Sequence, residues 1–376
     1  MKIAINTRLL LKNKLEGIGW FTYETMIRIT QNHPEHQFFF LFDRKPHPDF
    51  LFSSNITPVV LHPQARHPIL WYLWFEFSVA RFLRKNDTSV FVSTDGFIPL
   101  KTKTPTISVI HDINFHHFPK WMPAFNRFYY NRYFPKFAKK STKIVTVSEY
   151  SKNDIATSFD VALSKISVAH NGANTAFKPI SKDEKNLVEI KYAKGNPYFL
   201  FVGALNPRKN VANLIRAFDL FVSKTKLEYS LVIVGEPMFM TQDISEALSS
   251  MINRTSVIFT GRLQLDELRQ VMGGATALTY IPYFEGFGIP LVEAMYCHVP
   301  IISSDRTSMP EVAGDAAFYV DPHDIKSIAN AMSLLATDQK LREALATKAE
   351  KRKEQFSWDN TASRLFECIE SVISEH

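Results

Sequence analysis

Apolar positions along the chain follow two alternating rhythms. Short runs of β-branched and aromatic residues at 3–6, 38–42, 90–93, 106–110, 143–147 and 166–169 read as strands. Between them, 20–31, 69–85, 124–140 and 151–158 repeat their apolar residues at helical spacing. The same alternation starts again near residue 198. Strands are predicted at 198–202, 230–234, 257–260, 277–281, 300–303 and 317–320, with helices at 211–224, 242–251, 264–273, 289–296 and 325–336. Strands that alternate with helices make a parallel sheet covered on both faces, so the fold class is α/β, built twice.

Between the two series, 177–196 contains Pro179 and a mixed charge run at 182–189, and reads as an ordered connection with a short helix. This gives a first domain over 1–178 and a second over 179–356. Residues 340–376 are helical by pattern with a break at Phe356-Ser357-Trp358, where Ser357 is placed to cap a last helix. That helix, 357–376, can run back to the first domain. Two doubly wound units in tandem imply a cleft where strand C-terminal ends and helix N-termini gather.

At 376 residues with 45% hydrophobic side chains, two sizeable cores are feasible. Cys297 and Cys368 both lie in apolar helical patterns and read as small buried hydrophobes. The N-terminus reads as a short strand, with no signal-peptide pattern, and no stretch is apolar enough to span a bilayer. A cytoplasmic location is expected, with the inner face of the cell membrane as a possible peripheral partner. Charge sharpens that point. Residues 1–178 hold 23 Lys and Arg against 12 Asp and Glu, a net +11, while the whole chain carries +7. A basic first half suits an anionic partner.

The candidate chemistry centres on Glu285-Gly-Phe-Gly-Ile-Pro-Leu-Val-Glu293, which runs from a strand through a glycine loop into a helix. Pro290 fits the first helical turn, and Gly286 and Gly288 let backbone approach a ligand. The helix start offers an anion site, bracketed by Glu285 and Glu293. Carboxylates beside a phosphate pocket suit sugar and ribose hydroxyls, a combination that fits a nucleotide-sugar. Further candidates follow other strands. Gly203 to Asn206 leads to Arg208 and Lys209, able to neutralise a leaving diphosphate. Gly17 and Gly19 follow the first strand, and His111-Asp112 ends the strand at 106–110, where an open α/β sheet points polar groups into its crevice.

The Glu285-to-Glu293 segment resembles the Glu-x7-Glu motif of retaining glycosyltransferases with the GT-B fold, two Rossmann-like parallel-sheet domains facing across a cleft, and specifically family 4. The resemblance runs along most of the chain. It implies that Glu285 faces donor-sugar hydroxyls and Glu293 the nucleotide ribose, with backbone near Gly286, Phe287, Gly288, Ile289, Leu291 and Val292 toward sugar or diphosphate. By the same resemblance Lys209 contacts the diphosphate, His111 holds the donor sugar, and Gly17 and Gly19 approach phosphate and acceptor. Relatives often carry Arg directly after the loop glycine, where this chain has Ala204, so Arg208 is the candidate replacement. Arg262 stands where relatives place the wall of the base pocket. Glu149 and Asn171 match recurrent segments that capping and turn duties also explain.

The flavour of His111-Asp112-Ile-Asn and Pro207-Arg-Lys-Asn210 is similar to bacterial polysaccharide-assembly mannosyltransferases. Expected partners are a nucleotide-sugar donor such as GDP-mannose or UDP-glucose and a glycan or lipid-linked acceptor, with no metal cofactor. A nicotinamide oxidoreductase would want a full Gly-x-Gly-x-x-Gly after the first strand, which is absent. A nucleotide-sugar epimerase of the same fold and a non-catalytic partner protein remain the alternatives. No nucleic-acid reader motif is present, so no nucleic-acid partner is expected. The stretch 67–85 joins Trp71, Tyr72, Trp74, Phe75, Phe77 and Phe82 to Arg81, Arg84 and Lys85, and 125–140 adds more basic residues. Packing against the first domain and rest on a membrane surface are both open readings of that pattern.

Overall fold

A computed structural model of the protein describes residues 1–236 and 242–375. It divides into two compact units, Met1–Gly172 with Ser357–His376, and Ala173–Phe356.

The first unit holds a seven-stranded sheet of β1 (Lys2–Asn6), β2 (Gln37–Phe42), β3 (Ile56–Val60), β4 (Val90–Ser93), β5 (Thr106–Val109), β6 (Lys143–Thr146) and β7 (Ile166–Val168), in the order β3-β2-β1-β4-β5-β6-β7. Every pairing is parallel. Strands covered on both faces need continuous apolar runs, and in β2 every residue after Gln37 is buried. Chain progression reverses between β1 and β4, so the C-terminal ends of these two strands flank the crevice of the sheet.

The second unit repeats the plan with six strands: β8 (Tyr198–Val202), β9 (Ser230–Val234), β10 (Val257–Gly261), β11 (Ala277–Tyr280), β12 (Ile301–Ser304) and β13 (Ala317–Val320). Their order is β10-β9-β8-β11-β12-β13, again all parallel, which puts the switch point between β8 and β11. The helix Val211–Thr225 turns Val211, Leu214, Ile215, Phe218 and Phe221 inward, an amphipathic stripe at helical spacing.

Two expectations need correction. The strand β3 was not anticipated, because Ile56–Val60 carries Pro58 and is only partly buried. Its place at the sheet edge explains both, since an edge strand tolerates a missing N–H. The single helix expected at 69–85 is a helical run over 68–86 with a π turn at Trp74–Val79. The π turn brings Trp71, Trp74, Phe75, Val79 and Leu83 to the same buried side. The connection at 177–196 contains a twelve-residue helix, Lys182–Ala193, with a capping box between Ser181 and Glu184. Its Lys191 and Tyr192 reach Glu267 in the helix Leu265–Gly274, so it is part of the second unit's packing.

The last helix, Trp358–Ser374, belongs to the first unit and packs on Gly17–Asn32. Ser357 caps it by accepting from the Asn360 amide at 3.1 Å. Trp358 meets Phe21 edge-on, and Arg28 pairs with Asp359 at 2.7 Å. Gly172 is the residue that permits this arrangement. A Cβ there would overlap the Trp358 amide nitrogen and lie 2.7 Å from the Ser357 carbonyl carbon. Backbone cannot yield as a flexible side chain does. Gly172→Ala is therefore expected to destabilise the first unit by about 1–3 kcal/mol. A melting temperature equal to the wild type's in calorimetry would show that the helix docks with room to spare.

Candidate functional site

In the second unit, the loops that follow β8 and β11 meet at the switch point. After β8 the chain passes Gly203 and Asn206 and forms one 3-10 turn, Pro207–Lys209. Asn210 then takes a left-handed conformation, and its amide group donates to the carbonyls of Ile281 and Pro322 at 3.1 and 2.7 Å. Asn tolerates that conformation better than most residues. After β11 the chain reaches Glu285 and Gly288, whose φ of +92° starts the helix Ile289–Tyr296 with Pro290 in its first turn. The Tyr283 amide donates to the Arg208 carbonyl at 2.8 Å and ties the two loops together.

Three donors converge on one oxygen, Glu285 Oε2. Arg208 Nη1 lies at 2.6 Å and Tyr280 Oη at 3.0 Å, and Lys209 Nζ bonds both this oxygen and Tyr280 Oη. The Lys209 side chain is 9% exposed and that of Glu285 12%. Lys209 Nζ also sits 4.7 Å from the Tyr280 ring centroid. Burial alone would raise the Glu285 carboxyl. Arg208 and then Lys209 outweigh it and hold the group down at about 2. Glu285 is thus ionised throughout the physiological range and is a very weak base.

Glu293 is in the opposite state. Its side chain makes no hydrogen bond or ion pair with any described residue, and burial lifts its carboxyl to about 7. The side chains of Phe287, Leu291 and Val292 are buried in the core, so only their backbone can face a ligand. The Leu291 amide donates back to Gly288 O at 2.9 Å. Asn206 Oδ1 is buried without a hydrogen-bond partner among the described residues. Arg262 follows β10, the edge strand, and its side chain is exposed.

The remaining candidates lie in the first unit. His111 follows β5 and is half-buried. Its Nε2 lies 2.9 Å from the Thr94 carbonyl, which can only accept, so Nε2 carries the hydrogen and the neutral ring keeps a lone pair on Nδ1. Burial lowers its pKa, against the raising influence of that carbonyl, Asp112 and Asp95. Asp112 accepts from the Asn114 amide at 3.0 Å and closes a local turn. Gly17 and Gly19 open the helix Gly17–Asn32. A Cβ on Gly17 would meet open space, and one on Gly19 would press on Leu9 O at 3.0 Å. Glu149 begins the helix Glu149–Phe159 with Lys152 at 3.4 Å, and Asn171 Oδ1 is buried without a partner.

Two groups escaped the sequence reading. Tyr280, the last residue of β11, looked like an ordinary buried strand aromatic. At the first unit's switch point, Asn6 Nδ2 donates to Asp95 Oδ1 at 2.8 Å and Arg8 Nε to Asp95 Oδ2 at 2.7 Å. Thr94 Oγ1 bonds Asn6 O and accepts from Thr22 Oγ1. The strand-end rule that singled out His111 applies equally to Asn6-Thr7-Arg8 and Ser93-Thr94-Asp95, and would have found them. Among the described residues, no group of three or more His, Cys, Asp or Glu is arranged to hold a metal ion.

Two doubly wound parallel sheets in tandem, each with polar groups at its switch point, are the architecture of GT-B glycosyltransferases. HepE from Anabaena, solved in complex with UDP and glucose, superposes with a TM-score of 0.75 over 99% of this chain and 100% of its own, at 15% identity. Residues 16–177 match the model of Glycosyltransferase Family 4, and 182–352 that of Glycosyl transferases group 1. The O-antigen chain mannosyltransferase RfbU of Salmonella typhimurium is 31% identical over 73% of this chain and 72% of its own length. The O-antigen chain mannosyltransferase B of Escherichia coli is 27% identical over 69% and 68%. The chain belongs to glycosyltransferase family 4 and is a glycosyltransferase.

The two acids make opposite contributions to stability. The Glu285 carboxyl is held below its ordinary 4.5, so its contribution is present above pH 4.5 and lost as pH falls toward 2. The Glu293 carboxyl is raised from 4.5 to about 7, so its contribution is present below pH 4.5 and lost as pH rises through 7. Glu293→Gln is expected to stabilise the protein at pH 8 by on the order of 2–3 kcal/mol, with no gain at pH 4.5. Glu285→Gln leaves buried cations without their partner and is expected to cost about 3–5 kcal/mol at pH 8. Thermal melts of both variants across that range test the pair, and a shift of the same sign for both would refute it.

Proposed function

We propose that this glycosyltransferase moves mannose from a nucleotide-activated donor to a glycan or lipid-linked acceptor, with retention at the anomeric carbon, in cytoplasmic steps of cell-surface polysaccharide assembly. Residues 179–356 are the donor domain in this reading, and 1–178 with 357–376 the acceptor domain. The observation that carries it is the contrast between two acids on either side of the glycine loop that opens the helix Ile289–Tyr296. Glu285 is charged and clamped by Arg208 and Lys209, while the carboxyl of Glu293, about one turn into the helix, is raised and has no side-chain partner among the described residues.

The Glu285 carboxylate neutralises Arg208 and Lys209. An incoming diphosphate brings its own negative charge to those cations, and Glu285 is then released to accept hydrogen bonds from donor-sugar hydroxyls. The cations stabilise the diphosphate as charge develops on it in the transition state. Glu293 accepts from the ribose hydroxyls. Gly203, Asn206, Gly286, Gly288 and Ile289 supply backbone and amide contacts to the diphosphate and sugar, and Arg262 lines the base. In the first unit, the lone pair at His111 Nδ1 is assigned to a sugar hydroxyl, and the Gly17 and Gly19 backbone to phosphate and acceptor.

A carboxyl held at about 2 cannot take a proton from an attacking hydroxyl near neutral pH. The departing phosphate oxygen is the better acceptor. That favours attack from the face the nucleotide leaves, and hence retention. The mannose assignment rests on the two O-antigen mannosyltransferases, and GDP-mannose is the expected donor. HepE, whose structure holds UDP and glucose, makes UDP-glucose the second donor to try.

Calorimetric titration with GDP-mannose and UDP-glucose is expected to give binding that weakens as pH falls below about 7, where Glu293 takes up its proton. Glu293→Gln is expected to lower affinity about tenfold or more and to abolish that pH dependence. Affinity that ignores both pH and the substitution would remove Glu293 from the ribose. Product from an α-linked donor is expected to be α by NMR, and a β product would exclude the front-face path.

A further inference from the structure

Two helical segments of the first unit carry exposed apolar side chains that the core does not use. In the run 68–86, Ile69 and Phe77 are each 56% exposed and Leu73 lies between them, four residues from either. In the helix Ala124–Lys140, Phe125 is 53% and Phe128 65% exposed. Both stripes then turn basic toward their C-terminal ends. Arg81, Arg84 and Lys85 are exposed on the first, and Arg132 and Lys136 on the second.

The stripes adjoin. Buried Trp71 packs edge-on against Tyr129 and Tyr130, joining the two segments from below. Half-buried Tyr72 contacts Phe77 on its own segment and Tyr133 on the other, with centroids 6.2 and 6.0 Å apart. Lys136 Nζ lies 5.5 Å over the Tyr133 ring. A continuous strip therefore runs from Phe77 through Tyr72 and Tyr133 to Lys136.

The distribution of charge selects the partner. The helix Ala124–Lys140 contains no acidic residue, and the run 68–86 contains one, Glu76, which is buried and accepts from the Leu100 amide at 2.6 Å. Among the described residues Arg81, Arg84, Lys85 and Arg132 make no ion pair. Unpaired cations beside exposed Phe and Ile suit a surface that is anionic at its face and apolar just beneath. A nucleic acid would reward the charges but not the aliphatic residues. No described helix is long and apolar enough to cross a bilayer, so this contact is with one leaflet.

We propose that the face formed by 68–86 and Ala124–Lys140 docks on an anionic lipid surface, with Ile69, Phe77, Phe125 and Phe128 entering the headgroup boundary and the basic ends meeting lipid phosphates. The surface is independent of the donor site, so a protein that fails to bind GDP-mannose would still bind vesicles. The test is co-sedimentation of the full chain with phosphatidylcholine vesicles, with and without roughly one-third phosphatidylglycerol. Binding is expected only to the anionic vesicles, and to weaken in about 1 M salt.

The double variants Phe77→Ser with Phe128→Ser and Arg81→Glu with Arg132→Glu are each expected to bind about tenfold more weakly or worse. All four side chains are exposed, so wild-type melting is expected to persist. In the wild type, hydrogen exchange at the amides of 124–136 is expected to slow with anionic vesicles, a readout that needs no variant. Absence of sedimentation with anionic vesicles would overturn the proposal. So would full binding by the Ser variant, or RNA binding that matches vesicle binding and ignores that variant, because the face would then be a polycation alone.

Discussion

A single carboxylate oxygen organises the second unit. Taking Glu285 and Lys209 out of water is costly, and only close, multiply bonded pairing offsets the loss. Glu285 Oε2 receives Arg208, Lys209 and Tyr280, and no member of that set could be buried alone. Because the partners come from the loop after β8 and from β11 with its following loop, the electrostatics hold two separate chain segments in register. The third neighbour joins through backbone, as Ser308 Oγ donates to Glu285 O at 2.8 Å and Thr307 Oγ1 accepts from its amide at 3.3 Å. The site is therefore assembled by charge before any ligand arrives.

The same unit keeps Glu293 out of that arrangement. A half-buried acid with no side-chain partner among the described residues costs stability, and a site that binds a ligand gains when the ligand supplies what the fold withholds. Asn206, with a buried oxygen lacking a partner, has the same character. Tight satisfaction at Glu285 and its absence, among the described residues, at the side chains of Glu293 and Asn206 separate a fixed group from groups left unsatisfied. This division also limits mechanism, since the group that stays charged is the one that cannot exchange a proton near neutral pH.

Much of this was legible in the sequence because the underlying rules are local. Apolar runs such as Phe38–Phe42 in β2 mark a strand buried on both faces, and Pro290 after Gly288 marks a helix start. What escaped depends on contacts far along the chain. The edge strand β3 is half exposed and broken by Pro58, so only its pairing with β2 identifies it. The π turn at Trp74–Val79 answers to the core against which it packs. Tyr280 reads as one more core aromatic until Lys209, 71 residues away, is found on its hydroxyl. The raised state of Glu293 is likewise a property of burial, which no spacing of residues encodes.

In the first unit, hydrogen bonds do for His111 what charge does for Glu285. Thr22 donates to Thr94, Thr94 donates to Asn6 O, and Asn6 is fixed in turn by Ser93 and Asp95. The chain of bonds sets the Thr94 carbonyl, and that carbonyl sets the tautomer of His111. Phe21, edge-on at 4.9 Å, blocks the ring from turning. Since burial also lowers its pKa, the imidazole is neutral at physiological pH and presents a lone pair at Nδ1. Such a group can receive a hydroxyl hydrogen but offers no positive charge to a phosphate.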